Sequence, residues 1–415
     1  MLAADVLALS PEEQAMLAGA HGPAVQRAME MVVALARIYG ARGLVEIKSA
    51  QVAGVSYANI GDSGLAFLSH WADEGAKVRA PALLNPAGMD LQAWREMGVP
   101  EDFAAKQLAL VQVYARMGVK ATCTCAPYLL PTNPLPALGD HLAWSESSAV
   151  VYANSVLGAR TNREGGPGAL AAAIVGRTGN YGLHLDDARQ PSESWLVTAP
   201  LLSDADWGAL GIAIGRASRG VPYIRLQGPP VASADASATT DHLRLFGAAA
   251  AAAGSMSLFH MEGVTAEARA GQVRRPDTEQ AIISALDEVY ASLNSPIEHL
   301  DLVAVGCPHA SLAQLEEVAR FLGGRHVATP LWLMASRAIL GQAQARGLAE
   351  VLAASGARLL ADTCVVVAPL KLMGIRSVAT NSAKAAFYLP GHQGAAVRFG
   401  PLERCLEAAL RGSWR

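Results

Sequence analysis

Two cysteines stand one residue apart in the segment ATCTCAPYLL, where Cys123 and Cys125 bracket a threonine. That spacing does not readily close an unstrained disulfide, and it is not the C-x-x-C spacing of a zinc ribbon. Two further cysteines, Cys307 and Cys364, each follow an apolar run that predicts a buried strand. Three converging thiolates can hold an iron–sulfur cluster with one iron open to substrate, or a zinc ion with an open position. The alternative is three inert core thiols, because free cysteine is often fully buried.

The last third of the chain repeats one strand–turn–helix plan four times, which predicts a small parallel sheet. A polar or sulfur-containing residue follows each predicted strand: Cys307, Ser336, Cys364 and Asn381. Because ligands of open parallel sheets bind beyond the carboxyl ends of the strands, we expect these four side chains to lie at one site. The remaining cysteine, Cys405, lies within the predicted helix PLERCLEAALRG and is expected to be a core thiol.

A glycine-punctuated segment in the middle of the chain, WSESSAVVYANSVLGARTNREGGPGAL, has the composition of an anion-binding loop. Its arginines each present a planar fork that grips a carboxylate or phosphate with two hydrogen bonds. The alternative is a solvated loop, which is the commoner environment of any single arginine. The residues of this segment that could contact a substrate are Glu146, Asn154, Arg160, Asn162 and Arg163.

Other polar residues stand where predicted strands pass into loops or helices. Asn85 opens a loop after a predicted strand, and Asn381 and Ser382 precede a helix whose N-terminus favours an anion. Four basic side chains could exchange a proton in such a site, and each could equally bind an anion: Lys48, His184, His309 and Lys384. His260 and Glu262 could form an acid–base pair, but a hydrogen-bonded core histidine is the favoured interpretation.

The composition of the 415 residues argues against nucleic acid and membrane as partners. The formal net charge is -3, with 33 Lys and Arg against 36 Asp and Glu, so no strong basic surface is expected. No apolar run approaches the roughly 18 residues that a membrane-spanning helix needs. The N-terminal segment MLAADVLALSPEEQAML has no basic start and is not expected to be a signal peptide. Five unevenly spaced cysteines favour a reducing, cytoplasmic location.

Helical and strand-like patterns alternate along the whole chain, which predicts an α/β fold of several lobes with parallel sheets. We expect a main α/β region over residues 1–290 that includes a loop-rich, substrate-binding segment at 121–190. Residues 291–390 are expected to form a small parallel α/β lobe that carries Cys307 and Cys364. Residues 391–415 are expected to form a C-terminal helix.

Taken together, these segments resemble the aconitase X family, a branch of the aconitase superfamily, over nearly the whole chain. The matching segments are KSAQVAGVSY, GAKVRAPALLNPAGMDL, TCAPYL, GDHLAWSESSAVVYANSVLGARTNREGGP, YGLHLDD, FHMEGVT, GCPHASL, ADTC and TNSAKAAFYLPG. The resemblance implies a hydro-lyase with an iron–sulfur cluster, of the [4Fe-4S] or [2Fe-2S] kind, on three cysteines. Carried over by motif, the ligands are Cys125, Cys307 and Cys364, and Cys123 is an extra thiol.

The chain departs from the family pattern in one respect. Many members carry a small swivelling domain with a segment rich in serine and glycine, which is thought to supply a catalytic serine. No such segment is found before Arg415. The resemblance therefore implies the large subunit of a split enzyme, with the catalytic base on a separate small subunit.

The function expected from the resemblance is the dehydration of a small hydroxylated acid. Two family substrates compete. The segments NPAGMDLQAWREMG and TNREGGPGAL look closer to the archaeal branch, which acts on 5-phosphomevalonate. The alanine-rich, charge-poor composition instead suggests a mesophilic bacterium and cis-3-hydroxy-L-proline, which we favour from the sequence. Rival hypotheses are a non-catalytic iron–sulfur regulatory protein and a three-cysteine zinc protein.

Overall fold

The computed structural model of the chain describes residues 7–131, 134–227 and 236–415. Over these ranges the fold is α/β, which confirms the predicted fold class. The described strands form four sheets, and three of these sheets are parallel throughout. Parallel neighbours need a crossover connection, and helices supply most of these connections.

The N-terminal region, up to residue 190, contains two of the sheets. Its strands are Leu44–Glu46 (β1), Ala50–Val52 (β2), Ala82–Leu84 (β3), Ala143–Trp144 (β4) and Arg177–Gly179 (β5). Its helices are Pro11–Leu17 (α1), Pro23–Ile38 (α2), Tyr57–Asp73 (α3), Trp94–Met97 (α4), Glu101–Arg116 (α5), Ser147–Tyr152 (α6) and Gly166–Val175 (α7). Strands β3, β2 and β4 form a parallel sheet in that order, and β1 pairs antiparallel with β5. Helix α1 begins at Pro11 with Ser10 as its N-cap, and a capping box joins Ser10 to Glu13.

The middle region is built on a four-stranded parallel sheet. Its strands are Glu193–Val197 (β6), Pro222–Leu226 (β7), His260–Met261 (β8) and Gln280–Ile283 (β9). Its helices are Asp204–Ala217 (α8), Ala236–Gly254 (α9), Ala266–Arg269 (α10) and Asp287–Leu293 (α11). The sheet order is β8-β7-β6-β9. Helices α8 and α9 pack with almost no gap, because a Cβ atom at Gly211 would lie 2.4 Å from the carbonyl oxygen of Phe246.

The C-terminal region is built on a five-stranded parallel sheet in the order β12-β11-β10-β13-β14. Its strands are Leu302–Val305 (β10), Leu331–Met334 (β11), Ala357–Leu360 (β12), Ser377–Thr380 (β13) and Ala396–Phe399 (β14). Its helices are Leu312–Leu322 (α12), Arg337–Ala345 (α13), Leu348–Ala354 (α14), Ala383–Gln393 (α15) and Leu402–Arg411 (α16). The four predicted strands are confirmed, and Cys405 is a buried thiol of α16, as expected.

One expectation for this region needs correction. The segment 391–415 is not a single helix: α15 continues to Gln393, and the chain then forms β14 before α16. Strand β14 pairs with β13, so it belongs to the same sheet. It is recognisable by its two-residue period, since Val397 and Phe399 are buried and Ala396 and Arg398 are not.

The three regions share one buried apolar cluster, and the N-terminal and C-terminal regions are also joined by backbone hydrogen bonding of the kind found between parallel strands. Phe103 of α5, Trp207 of α8 and Phe399 of β14 all belong to one buried apolar cluster. The backbone N–H of Ala87 donates to the carbonyl oxygen of Asp362 over 2.7 Å, and Ala87 forms a parallel bridge with Thr363. The N-terminal and C-terminal sheets therefore meet at loops that leave their strands. Within the described part of the chain, no helix is both long and apolar enough to cross a membrane.

Candidate active site

Every strand of the N-terminal parallel sheet ends at one cavity of about 410 Å³. The cavity is lined by Ala53 and Gly54 after β2, by Asn85 after β3, and by Ser145 and Glu146 after β4. This is the arrangement expected of open parallel sheets, whose ligands bind beyond the carboxyl ends of the strands.

Cys125 reaches the same cavity from a short backbone extension of that sheet. Lys120 forms a parallel bridge with Leu83, and the N–H of Thr124 donates to the carbonyl oxygen of Leu84 over 3.0 Å. The chain then turns and places Cys125 in the cavity wall. Cys123 is fully buried in the apolar core of the N-terminal region, with a left-handed backbone at φ 42°.

The C-terminal sheet brings the other two predicted ligands to the same place. Cys364 lines the cavity, and Cys307, which follows β10, lies close enough for each thiol to perturb the ionisation of the other. The interaction with Cys364 lowers the pKa of Cys307 below its ordinary value, although burial acts in the opposite direction. Burial raises the pKa of Cys125 to about 12, and the charges of Cys125 and Cys307 influence each other. Three thiols from three loops and two sheets therefore face one another.

The described residues include no group of three or more His, Cys, Asp and Glu side chains placed to hold a single metal ion. The feature at this site is a set of three thiols that influence one another electrostatically, two of which, Cys125 and Cys364, line an open cavity. All five cysteines are free and buried.

A buried ion pair forms the floor of the cavity. The Lys384 ammonium donates to Glu146 Oε1 and, over 3.4 Å, to Ser148 Oγ, while Asn85 Nδ2 donates to Glu146 Oε2 over 2.7 Å. Burial disfavours the charged carboxylate, but Lys384 outweighs it and lowers the pKa of Glu146 to about 2. Although burial also disfavours the ammonium, Glu146 and Cys307 raise the pKa of Lys384 above its ordinary value. Lys384 is therefore a fixed cation and not a proton acceptor.

His309 connects the three cysteine loops. Its Nε2–H donates to the carbonyl oxygen of Thr363 over 2.7 Å, so its Nδ1 accepts from the Thr124 hydroxyl over 3.0 Å. Its backbone N–H donates to Cys125 Sγ over 3.2 Å. Burial lowers the pKa of His309 to about 4, so the ring is neutral at pH 7. Both ring nitrogens are occupied, which corrects the expectation that His309 offers a free catalytic base.

Three residues of the predicted anion-binding loop lie away from this cavity. Arg160 pairs with Asp186 and donates to the carbonyl oxygen of His184. The side chain of Asn154 is buried and holds the backbone of Thr161, and that of Asn162 holds the backbone of Tyr181 and Leu183. These amides and this guanidinium already have partners within the chain and do not line the cavity, so their contact with substrate stays a prediction. Arg163, from the same loop, does line the cavity.

Two predicted bases are also placed elsewhere. Lys48 is exposed and does not line the cavity. His184 is buried, its Nδ1 lies 2.9 Å from Nδ1 of His141, and burial lowers its pKa to about 3. His260 is a buried core histidine bonded to the carbonyl oxygen of Arg189, as favoured, and Glu262 pairs with Arg225 instead.

The polar residues after β11 and β13 support the edge of the sheet. Ser336 caps α13 and Ser382 caps α15, each by accepting a backbone N–H. The Ser382 hydroxyl also helps to lower the pKa of Cys307. Asn381 is buried, and its Nδ2 has no hydrogen-bond partner within the chain. None of the three lines the cavity directly, so their contact with substrate stays a prediction.

Sequence reasoning missed two cavity residues on helix α15. Lys384, Tyr388 and His392 are spaced four residues apart, so they lie on one face of the helix, and all three line the cavity. That spacing is visible in AKAAFYLPGHQ and could have identified both. His392 is the only histidine that lines the cavity among the described residues.

Comparisons with known proteins agree with this geometry. Models of the aconitase X first, second and third domains match residues 6–187, 191–290 and 300–411. The chain belongs to the aconitase X family. The predicted family is therefore confirmed, and this aconitase X chain is a hydro-lyase of the aconitase X type.

Three relatives and one solved structure give the extent of the similarity. The phosphomevalonate dehydratase large subunits of Methanocaldococcus jannaschii and Methanothermobacter thermautotrophicus are 42% and 46% identical to this chain. These matches cover 96% and 92% of this chain and 99% and 94% of those proteins. The cis-3-hydroxy-L-proline dehydratase of Pseudomonas aeruginosa is 38% identical, over 96% of this chain but 69% of that protein. The crystal structure of Thermococcus kodakaraensis aconitase X in its holo-form superposes with a TM-score of 0.86, at 42% identity, over 97% of this chain and all of that one.

The neutral, fully bonded state of His309 predicts a pH-dependent stability. An unfolded histidine takes up a proton near pH 6.5, whereas the folded ring resists it down to about pH 4, so acid favours unfolding. Lowering the pH from 7 to 5 should therefore remove about 2 kcal/mol of unfolding free energy through this residue. Glutamine at this position does not titrate, so the stability deficit of His309→Gln relative to wild type should shrink by that amount at pH 5. Urea unfolding at the two pH values measures this, and a deficit that is independent of pH would contradict the assignment.

Proposed function

We propose that this chain is the large subunit of an iron–sulfur-dependent dehydratase that removes water from a small anionic hydroxy acid. The observation that carries the proposal is the meeting of Cys125, Cys307 and Cys364 beside a cavity whose floor is the Lys384–Glu146 ion pair. Soft thiolates are the usual ligands of iron–sulfur clusters, and a charged cavity of about 410 Å³ suits a small polar substrate.

The residues present fit such a cluster. Three buried thiols face one another, and Asn85 Oδ1 and Ser145 Oγ, both on the cavity wall, have no partner within the chain. Buried polar atoms are rarely left without partners, so these two atoms support a bound ligand. When bound, a cluster with one iron free of protein ligands supplies a Lewis acid that polarises the leaving hydroxyl.

The chain's own residues would bind and orient the substrate. Lys384 is fixed as a cation at the N-terminus of α15, and helix dipole and ammonium both favour an anionic group there. Arg163 lines the same cavity and is exposed, so its guanidinium is available to a second anionic group. Glu146 keeps Lys384 charged and in place, and so helps to fix the orientation of the substrate.

The base that removes the proton is proposed to come from a separate small subunit. Of the four candidate bases in this chain, Lys48 and His184 do not line the cavity, His309 is fully bonded, and Lys384 is a fixed cation. The relatives named large subunits support a partner of this kind. His392 is the alternative within this chain, since it lines the cavity. The five free thiols support the cytoplasm as the location.

We propose 5-phosphomevalonate as the substrate, in preference to the cis-3-hydroxy-L-proline favoured from composition. The phosphomevalonate dehydratase large subunits are the more similar relatives, and the match covers nearly their whole length. The cavity also has two separate cations, Lys384 and Arg163, for the two anionic ends of 5-phosphomevalonate.

The test of function is turnover by the anaerobically reconstituted chain, with and without its small subunit, on each of the two substrates. We expect dehydration of 5-phosphomevalonate by the complex and little by the chain alone. Loss of turnover in the complex on replacing His392 by Asn would place the base in this chain instead. Turnover of cis-3-hydroxy-L-proline in preference to 5-phosphomevalonate would overturn the substrate assignment.

The cluster assignment predicts opposite results for the two neighbouring cysteines. Cys125→Ser should abolish the visible absorbance of the cluster and lower iron and acid-labile sulfide, because it removes one of three ligands. Cys123→Ser is the matched control, and it should retain both, since that sulfur lies in the apolar core. Zinc in place of iron and sulfide would favour the three-cysteine zinc protein, whereas a cluster without turnover in the complex would favour a regulatory protein.

The arginine assignment predicts different effects for two arginines three residues apart. Arg163→Lys keeps the charge but removes the fork, and we expect it to raise KM for 5-phosphomevalonate by about tenfold. Arg160→Lys is the matched control and should leave KM unchanged, because Arg160 pairs with Asp186 outside the cavity. Steady-state kinetics of the complex measures both. Equal effects of the two substitutions would contradict a role for Arg163 in binding.

A further inference from the structure

Arg337 joins two adjacent loops that both line the cavity. It is the first residue of α13, and its Nη2 donates to Asp90 Oδ1 over 3.1 Å and also to Asp362 Oδ2. Its Nη1 donates to Gln92 Oε1 over 2.7 Å. Asp90 lies in the loop that begins at Asn85, and Asp362 lies two residues before Cys364. One guanidinium therefore contacts both loops without lining the cavity itself.

The two carboxylates also fix the backbone of the opposite loop. Asp90 Oδ2 accepts the N–H of Ala361 over 2.8 Å, and Asp362 Oδ2 accepts the N–H of Leu91 over 3.3 Å. Asp362 has a left-handed backbone, at φ 62°, which side-chain-bearing residues rarely adopt. Each loop therefore holds the other in its conformation through a carboxylate.

The charge balance makes Arg337 necessary to this arrangement. Asp90 and Asp362 are 3% and 2% exposed, and Arg337 is the cation that pairs with both. Without it, two adjacent buried carboxylates would have no compensating charge, which is strongly unfavourable. Separation of the loops would relieve this repulsion and would move Cys364 away from Cys125 and Cys307.

We propose that Arg337, with Asp90 and Asp362, is a positioning network that holds the Cys364 loop against the Asn85 loop and so completes the three-thiol ligand set. The inference rests on the proposed function, because it assigns the network a role toward the cluster. Arg337 is a positioning residue, since it acts through the two loops and not on the substrate.

The first test is the rate at which a chelator removes iron from the reconstituted chain, measured well below the unfolding temperature. Arg337→Met should release iron roughly tenfold faster or more, as expected when residues that orient metal ligands are lost. Arg346→Met is the matched control, because Arg346 follows the same helix but pairs with the half-buried Glu316, which is not part of the cavity wall. It should release iron at the wild-type rate. Arg337→Lys, which keeps the charge without the fork, should be intermediate.

A double substitution separates charge compensation from a general loss of structure. Asparagine tolerates a left-handed backbone and can still accept the N–H of Leu91, so Asp362→Asn removes mainly the charge. Adding it to Arg337→Met should restore slow iron release in part. A double variant that releases iron as fast as Arg337→Met, or faster, would contradict the charge argument.

The second test needs no cluster. In the cluster-free chain, Arg337→Met should increase the rate of alkylation at Cys364 at least severalfold while leaving that at Cys405 unchanged, measured by mass spectrometry of peptides. Wild-type rates of both iron release and Cys364 alkylation in Arg337→Met would overturn the network. If the wild-type chain takes up no iron and sulfide, the proposed function fails, and the alkylation rates still decide whether Arg337 holds the Cys364 loop.

Discussion

The candidate site depends on the carboxyl ends of two parallel sheets being held face to face. His309 makes the central connection, because its ring bonds Thr363 of one cysteine loop and Thr124 of another, and its backbone bonds Cys125. Each of these hydrogen bonds is buried, and leaving one such group unpaired costs about 1–3 kcal/mol. The three thiols are therefore brought together by the fold, from positions up to 239 residues apart in the sequence, counted from Cys125 to Cys364.

Buried charges around the cavity follow one rule: each carboxylate has a cation. Glu146 has Lys384, and Asp90 and Asp362 have Arg337. Such pairs contribute little net stability, because removing two charges from water costs about as much as their attraction returns. These ion pairs are better explained by the groups that they hold in place. Glu146 fixes the ammonium of Lys384, and Arg337 with its two carboxylates fixes the Cys364 loop.

The strand ends of the C-terminal sheet could be predicted from the sequence, because each unit is a short apolar run followed at once by a polar or sulfur residue. The structure places Cys307, Ser336, Cys364 and Asn381 after β10, β11, β12 and β13 as expected. The local sequence pattern could not predict which residues of the N-terminal region face this edge of the C-terminal sheet. Arg160 and Arg163 have the same chemistry and differ only in partners set by tertiary structure. The pairing of Arg337 with Asp90, 247 residues away, leaves no local signal at all.

The most direct test of the account is X-ray diffraction from anaerobically prepared crystals, with data collected on both sides of the iron absorption edge. The account predicts anomalous density for iron within bonding distance of the sulfurs of Cys125, Cys307 and Cys364, open to the cavity that contains Lys384. Iron bound by a different set of residues, or a single zinc ion on these three sulfurs, would contradict it.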